Sequence, residues 1–167
     1  MRRTAIALVA ALIVLVPGWP VHAGEQIVPP IPASADVVTA IARRSAGEAN
    51  DTGLEGVRLM ACVIHNRMVQ TEWGFRSDLH STLREFYAPD RTPSQEQQEV
   101  VRQVVEGEYD CPPVAFGFSP QDLRHPRIRL GVDEAHIVQC NGEGKWCLYF
   151  YRGTRRGWIR EQTGEQE

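Results

Sequence analysis

Glu48 stands between Gly47 and Ala49, eleven residues after Val37 and seven after Ile41, and this spacing singles it out for chemistry. At about 100° per residue, Val37 and Ile41 each lie within roughly 20° of Glu48 around a helix. The pattern predicts a carboxyl on the buried face of a helix, near its C-terminus. Low dielectric and the partial negative charge of the last carbonyls both favour the protonated carboxyl, the form a general acid needs. The same residues also fit a helix that simply ends at the surface, with Ala46, Gly47 and Asn50 marking the turn. Asp51 and Glu55 follow as candidates for a second carboxylate. Two carboxyls that divide acid and base work between them stand about 5 to 9.5 Å apart. Glu55, however, is already explained as the partner of Thr52 in a helix capping box.

The elements that position these groups follow from the apolar pattern. Ser34 caps a first helix with Asp36 in its first turn, and residues 47–53 break it, so Glu48 belongs to the last turn. The capping box at Thr52 and Glu55 opens a second helix whose Val57, Met60, Ala61, Ile64 and Met68 share one face. Asn66 and Arg67 fall in its later turns. An Asn amide both donates and accepts, which suits holding backbone around Glu48, and Arg67 suits pairing with a carboxylate. A surface arginine and an ordinary buried asparagine are the plainer reading of the same pair.

Residues 73–90 read as an irregular connection with short helical pieces, carrying Trp73, Phe75, Phe86 and Tyr87. Such rings either line a sugar cleft or fill a core. Phe86, Tyr87 and Phe116 are the aromatic candidates for substrate binding or site support. Thr92, Pro93 and Gln95 then announce a third helix, with Val100, Val101, Val104 and Val105 as its buried stripe and Gly107 at its end. Residues 114–118 read as a short strand and 121–131 as a loop. Residues 135–140 and 146–151 form the arms of a hairpin around the turn signal Asn141-Gly142-Glu143-Gly144. The fold class is α+β and mainly helical, with a small antiparallel β element.

The run Ile41-Ala42-Arg43 to Gly47-Glu48-Ala49, followed by Glu55-Gly56-Val57 and Val63-Ile64-His65-Asn66-Arg67, resembles the cell wall hydrolases of the spore-cortex lytic enzyme type. The likeness runs from Asp36 to Tyr151 and is sharp between Ile41 and Arg67, while Tyr149-Phe150-Tyr151 is similar to the family's aromatic finish. It implies a lysozyme-like, transglycosylase-like fold, peptidoglycan glycan strands as substrate, no cofactor and Glu48 as the catalytic acid. It also implies that no second carboxylate is required, because lytic transglycosylases let the muramic acid 6-hydroxyl attack its own anomeric carbon to give a 1,6-anhydro product. Two positions depart from the family pattern. Ala46 stands where an aromatic residue is usual, and Glu85 stands before Phe86 where glutamine is usual, bringing a further acid to the presumed sugar site.

The whole chain bounds these readings. Arg2 and Arg3, the apolar run of residues 5–16, Pro17 and Val21-His22-Ala23 read as a secretory signal peptide over residues 1–23, too short in its apolar part for a membrane span. Residues 24–35 hold Pro29, Pro30 and Pro32 and suit an extended leader. The domain is expected over residues 36–160 and a polar tail over 161–167. The 144 residues left after cleavage suffice for one domain, expected as a monomer. Loss of Arg2 and Arg3 moves the formal charge from -3 to -5, which gives no electrostatic case for nucleic acid. A late basic cluster, Arg152, Arg155, Arg156 and Arg160, either faces an anionic wall polymer or is solvated.

Four cysteines behind a signal peptide point to a secreted, periplasmic or cell-envelope protein with two disulfides. Three pairings are possible. Cys140 with Cys147 across the hairpin and Cys62 with Cys111 are favoured, a buried free thiol at Cys62 being the alternative. A zinc amidase or peptidase would draw on His65, His80, His125 and His136, but no metal-binding spacing is present. A cysteine peptidase conflicts with oxidised thiols. The non-enzyme alternative is a module that grips glycan on the same scaffold without cutting it.

Overall fold

The computed structural model describes residues 31–76, 78–124, 135–153 and 155. The segments expected as signal peptide and polar tail, most of the expected proline-rich leader, His125, Arg156 and Arg160 lie outside the described residues.

Helix α1 is Ala35–Ala49, and the Ser34 hydroxyl caps it by accepting the Val37 N–H at 3.3 Å. It runs through Gly47 to Ala49 before a 3-10 turn, Asn50–Thr52, so the break falls later than the glycine suggests. Just before the helix, Ile31 is buried against the core. Helix α2, Gly53–Val69, starts without the expected capping box. Thr52 is buried, and its hydroxyl instead donates to the Ala49 carbonyl at 2.7 Å, while Glu55 pairs with Arg58 at 2.6 Å. Gly56 lies so close beneath Thr52 that a Cβ there would overlap the threonine hydroxyl.

Twelve of the 17 residues of α2 are buried, including Leu59, Cys62 and Val63 off the expected apolar face. A helix apolar on nearly all sides belongs at the centre of a domain. Here α2 packs against α1 and α4 and against the sheet. Helix α3 is Leu79–Leu83, capped by Asp78. Helix α4, Gln95–Val105, begins later than the Thr92 signal: Ser94 and Gln97 form the capping box, at 3.2 and 2.9 Å. Its valine stripe is buried as the sequence predicts, and Gly107 follows with φ 75°.

Strands β1, Phe116–Phe118, β2, Ile137–Cys140, and β3, Cys147–Tyr151, form an antiparallel sheet in the order β1-β3-β2. β1 is shorter than expected, but Ala115 N–H still reaches the Tyr151 carbonyl at 2.8 Å. The segment expected as a loop from Gln121 opens inside a one-turn helix α5, Pro120–Leu123, capped by Ser119 and Asp122. The protein is thus mainly helical α+β. Its main core joins α1, α2, α4 and β3, and a smaller cluster gathers Phe75, Ala115, Phe116 and Tyr151. Among the described residues no helix is long and apolar enough to cross a membrane.

Both disulfides pair as expected. Cys62–Cys111 ties α2 to the segment before β1 across a separation of 49 residues, and Cys140–Cys147 closes the hairpin across 7. Loop-closure entropy assigns about 4 kcal/mol to the longer crosslink and roughly 2.5 to the shorter. In guanidinium unfolding, replacing both Cys62 and Cys111 by alanine is expected to lower stability by about 1.5 kcal/mol more than replacing Cys140 and Cys147. Equal midpoints for the two variants would contradict this ranking.

Candidate active site

Glu48 lies in the last turn of α1 and is half-buried rather than buried, because the helix end is covered on one side only. The cover is the segment of residues 86–91. Ala88 N–H donates to Glu48 Oε1 at 2.8 Å, and among the described residues Oε2 accepts no hydrogen bond. Arg44, one turn earlier on the same helix face, donates from Nη1 to the carbonyls of Phe86 and Ala88 at 3.0 and 2.9 Å and pairs with Asp90 at 2.9 Å. Arg91 N–H donates to the Arg43 carbonyl at 3.1 Å. Gly47 completes the seat, since a Cβ there would overlap the Pro89 carbonyl oxygen.

Arg67 forms the floor. Its Nε donates to the Ala115 carbonyl at 2.7 Å and its Nη1 pairs with Glu85 at 3.3 Å. The guanidinium sits 4.8 Å from the rings of Phe75 and Phe86 and 5.2 Å from that of Phe116. Cations over aromatic faces gain from the ring quadrupole, more so when water is excluded. Burial pushes the Arg67 pKa down to about 10, opposed by the negative charges of Glu85 and Glu48 and assisted by Arg155. The group therefore stays cationic at neutral pH, and its charge is felt at Glu48 without direct contact. Glu85 is also 3.9 Å from Arg155.

The expected residues divide by role. Arg67 pairs with a carboxylate as predicted. Asn66 does not hold backbone around Glu48; its amide donates to the Pro112 and Val114 carbonyls at 2.8 and 2.9 Å and anchors the approach to β1. Phe116 is buried and Phe86 is turned onto Arg67, so both support the site from beneath, whereas Tyr87 is 98% exposed. Glu55 is held by Arg58 and by the Tyr109 hydroxyl, and Asp51 is exposed near Arg91 at 3.7 Å. Arg44 escaped the sequence reading, although its position four residues before Glu48 marks the same helix face. Of the basic cluster, Arg152 meets His136 at 2.8 Å and Arg155 faces Glu85.

Among the described residues no group of three or more His, Cys, Asp or Glu is placed to hold a metal ion. His65 is half-buried on α2, and burial lowers its pKa below the ordinary 6.5 against a smaller opposing effect of Asn66. Comparison of the chain with family models, curated proteins and solved structures finds no match.

Gly47→Ala forces residues 88–90 off the end of α1, and overpacking of this kind costs about 1–3 kcal/mol; thermal melting reads the loss, and an unchanged melting temperature would refute the close seat. For His65 the folded state binds a proton less readily than the unfolded one. Its contribution is complete above about pH 6.5 and declines as pH falls below that value toward the depressed folded-state pKa. Chemical denaturation between pH 7.5 and 4.5 should show a shallower acid loss for His65→Gln than for the parent.

Proposed function

We propose that this chain is a peptidoglycan glycosidase on a lysozyme-like scaffold, exported to the cell envelope or beyond, which cleaves the β-1,4 bond between N-acetylmuramic acid and N-acetylglucosamine as a lytic transglycosylase. The observation that carries the reading is the half-buried Glu48 at a helix end, with Oε1 anchored by the Ala88 amide and Oε2 uncommitted among the described residues. A general acid needs such a fixed carboxyl with one oxygen turned to substrate. The resemblance of residues 41–67 to the cell wall hydrolases supports the same residue in the same role. Two disulfides fit an oxidising compartment.

In this mechanism protonated Glu48 gives its proton to the glycosidic oxygen. The bond to the muramic acid anomeric carbon breaks, the N-acetylglucosamine hydroxyl leaves, and an oxocarbenium-like centre develops. The Glu48 carboxylate then accepts the proton of the muramic acid 6-hydroxyl as that oxygen bonds to the anomeric carbon. The 1,6-anhydro product forms and the acid is regenerated. The chain's own groups favour one acid over two: Glu55 is engaged by Arg58 and Tyr109, and Asp51 lies exposed beside Arg91.

The test is mass spectrometry of soluble fragments from purified peptidoglycan treated with the mature chain, its Glu48→Gln variant, and the chain with chelator. Anhydro-muropeptides are expected from the parent with or without chelator. Glu48→Gln is expected to fold, because the amide oxygen still accepts from Ala88, and to lose roughly 10²–10⁴ in rate. Reducing-end muramic acid would instead indicate hydrolysis with a second carboxylate. Chelator-sensitive peptide release would indicate a zinc amidase, and binding without release a glycan-binding module.

A further inference from the structure

Tyr87 is the feature that packing leaves unexplained. Its 98% exposure is about twice that of Trp146 at 48% and Val138 at 49%, and Leu54 stands at 39%. The residues on either side of it are held. Glu85 pairs with Arg67, the Phe86 ring lies on the Arg67 guanidinium, and the Phe86 and Ala88 carbonyls both accept from Arg44. The Ala88 amide is taken by Glu48, and Asp90 pairs with Arg44. A backbone fixed on both sides presents one aromatic ring to water, one residue from the amide that grips the candidate acid.

We infer that Tyr87 is a carbohydrate-stacking platform whose ring takes the apolar face of an N-acetylated pyranose beside the bond that Glu48 acts on, an inference that rests on the glycosidase reading of this site. A pyranose has an apolar C–H face and a polar rim, and a tyrosine matches it with a flat apolar body and a hydroxyl tip. Because the flanking backbone is already ordered, binding fixes little more than the tyrosine side chain, which limits the entropic cost. A protein partner is a poorer match. Such interfaces bury about 800 Å² on each side around a cluster of anchors, whereas Tyr87 is flanked by exposed Arg84, Asp90 and Arg91. The neighbouring Phe86 is excluded from this role by its contact with Arg67.

The test is calorimetric titration of the β-1,4-linked N-acetylglucosamine hexamer into the full mature chain carrying Glu48→Gln, compared with the same chain also carrying Tyr87→Ala, Tyr87→Phe or Tyr87→Trp. Tyr87→Ala is expected to weaken binding about tenfold with no change in melting temperature, and the two aromatic variants to stay within about twofold of the parent. Equal affinity of Tyr87→Ala and parent, or no binding by the parent, overturns the platform. Fragment release by chains with intact Glu48 separates the two readings. Release that is indifferent to Tyr87 overturns the platform and leaves the glycosidase standing. Tyr87-dependent binding with no release supports the platform and removes the catalysis.

Discussion

A guanidinium buried among three phenylalanine rings is the constraint around which this molecule is arranged. Arg67 sits on the central helix, where an unpaired charge would be costly, and the chain meets that cost from two directions. The Ala115 carbonyl and the Phe116 ring come from the approach to β1, while Glu85 and the Phe86 ring come from the connection after α3. Phe75 supplies the third ring. Satisfying one cation therefore draws the small aromatic cluster, the edge of the sheet and the segment over Glu48 onto α2.

That segment is held a second time from α1. Arg44 and Glu48, one helical turn apart, take the carbonyls and the amide of residues 86–88 in alternation, and Gly47 lets the Pro89 carbonyl approach between them. Polar backbone beside a core needs partners, and here the candidate acid is itself one of them. Order in the loop and orientation of Glu48 are consequently the same set of hydrogen bonds. Glu85 belongs to the same arrangement: its carboxylate neutralises the buried Arg67 and stands between it and Arg155.

The helices were largely legible because their signals are local. Ser34 caps α1 as its position suggests, the valine stripe of α4 is buried, and Cys140 faces Cys147 across the hairpin. Errors arose where two local signals compete. Thr92-Pro93-Gln95 and Ser94-Gln97 both offer a helix start, and the second is used. Thr52 and Glu55 have capping-box spacing, yet burial of Thr52 and the proximity of Arg58 redirect both side chains. The amide of Asn66 suits bracing backbone around Glu48 because it both donates and accepts, but it reaches forward along the chain to residues 112 and 114.

Neighbours within a few residues are enough to set the Ser34 cap of α1, the apolar stripe of α4, the hairpin with its crosslink, and a carboxyl at the end of α1. Which groups meet across 18 to 48 residues, as Arg67 does with Glu85 and with Ala115, is settled by packing. Packing also decides which aromatic faces inward, with Phe86 on a buried cation and Tyr87 in water. Periodicity encodes the faces of an element, whereas the partners of a buried polar group are chosen by whichever donors and acceptors the packed elements bring within reach.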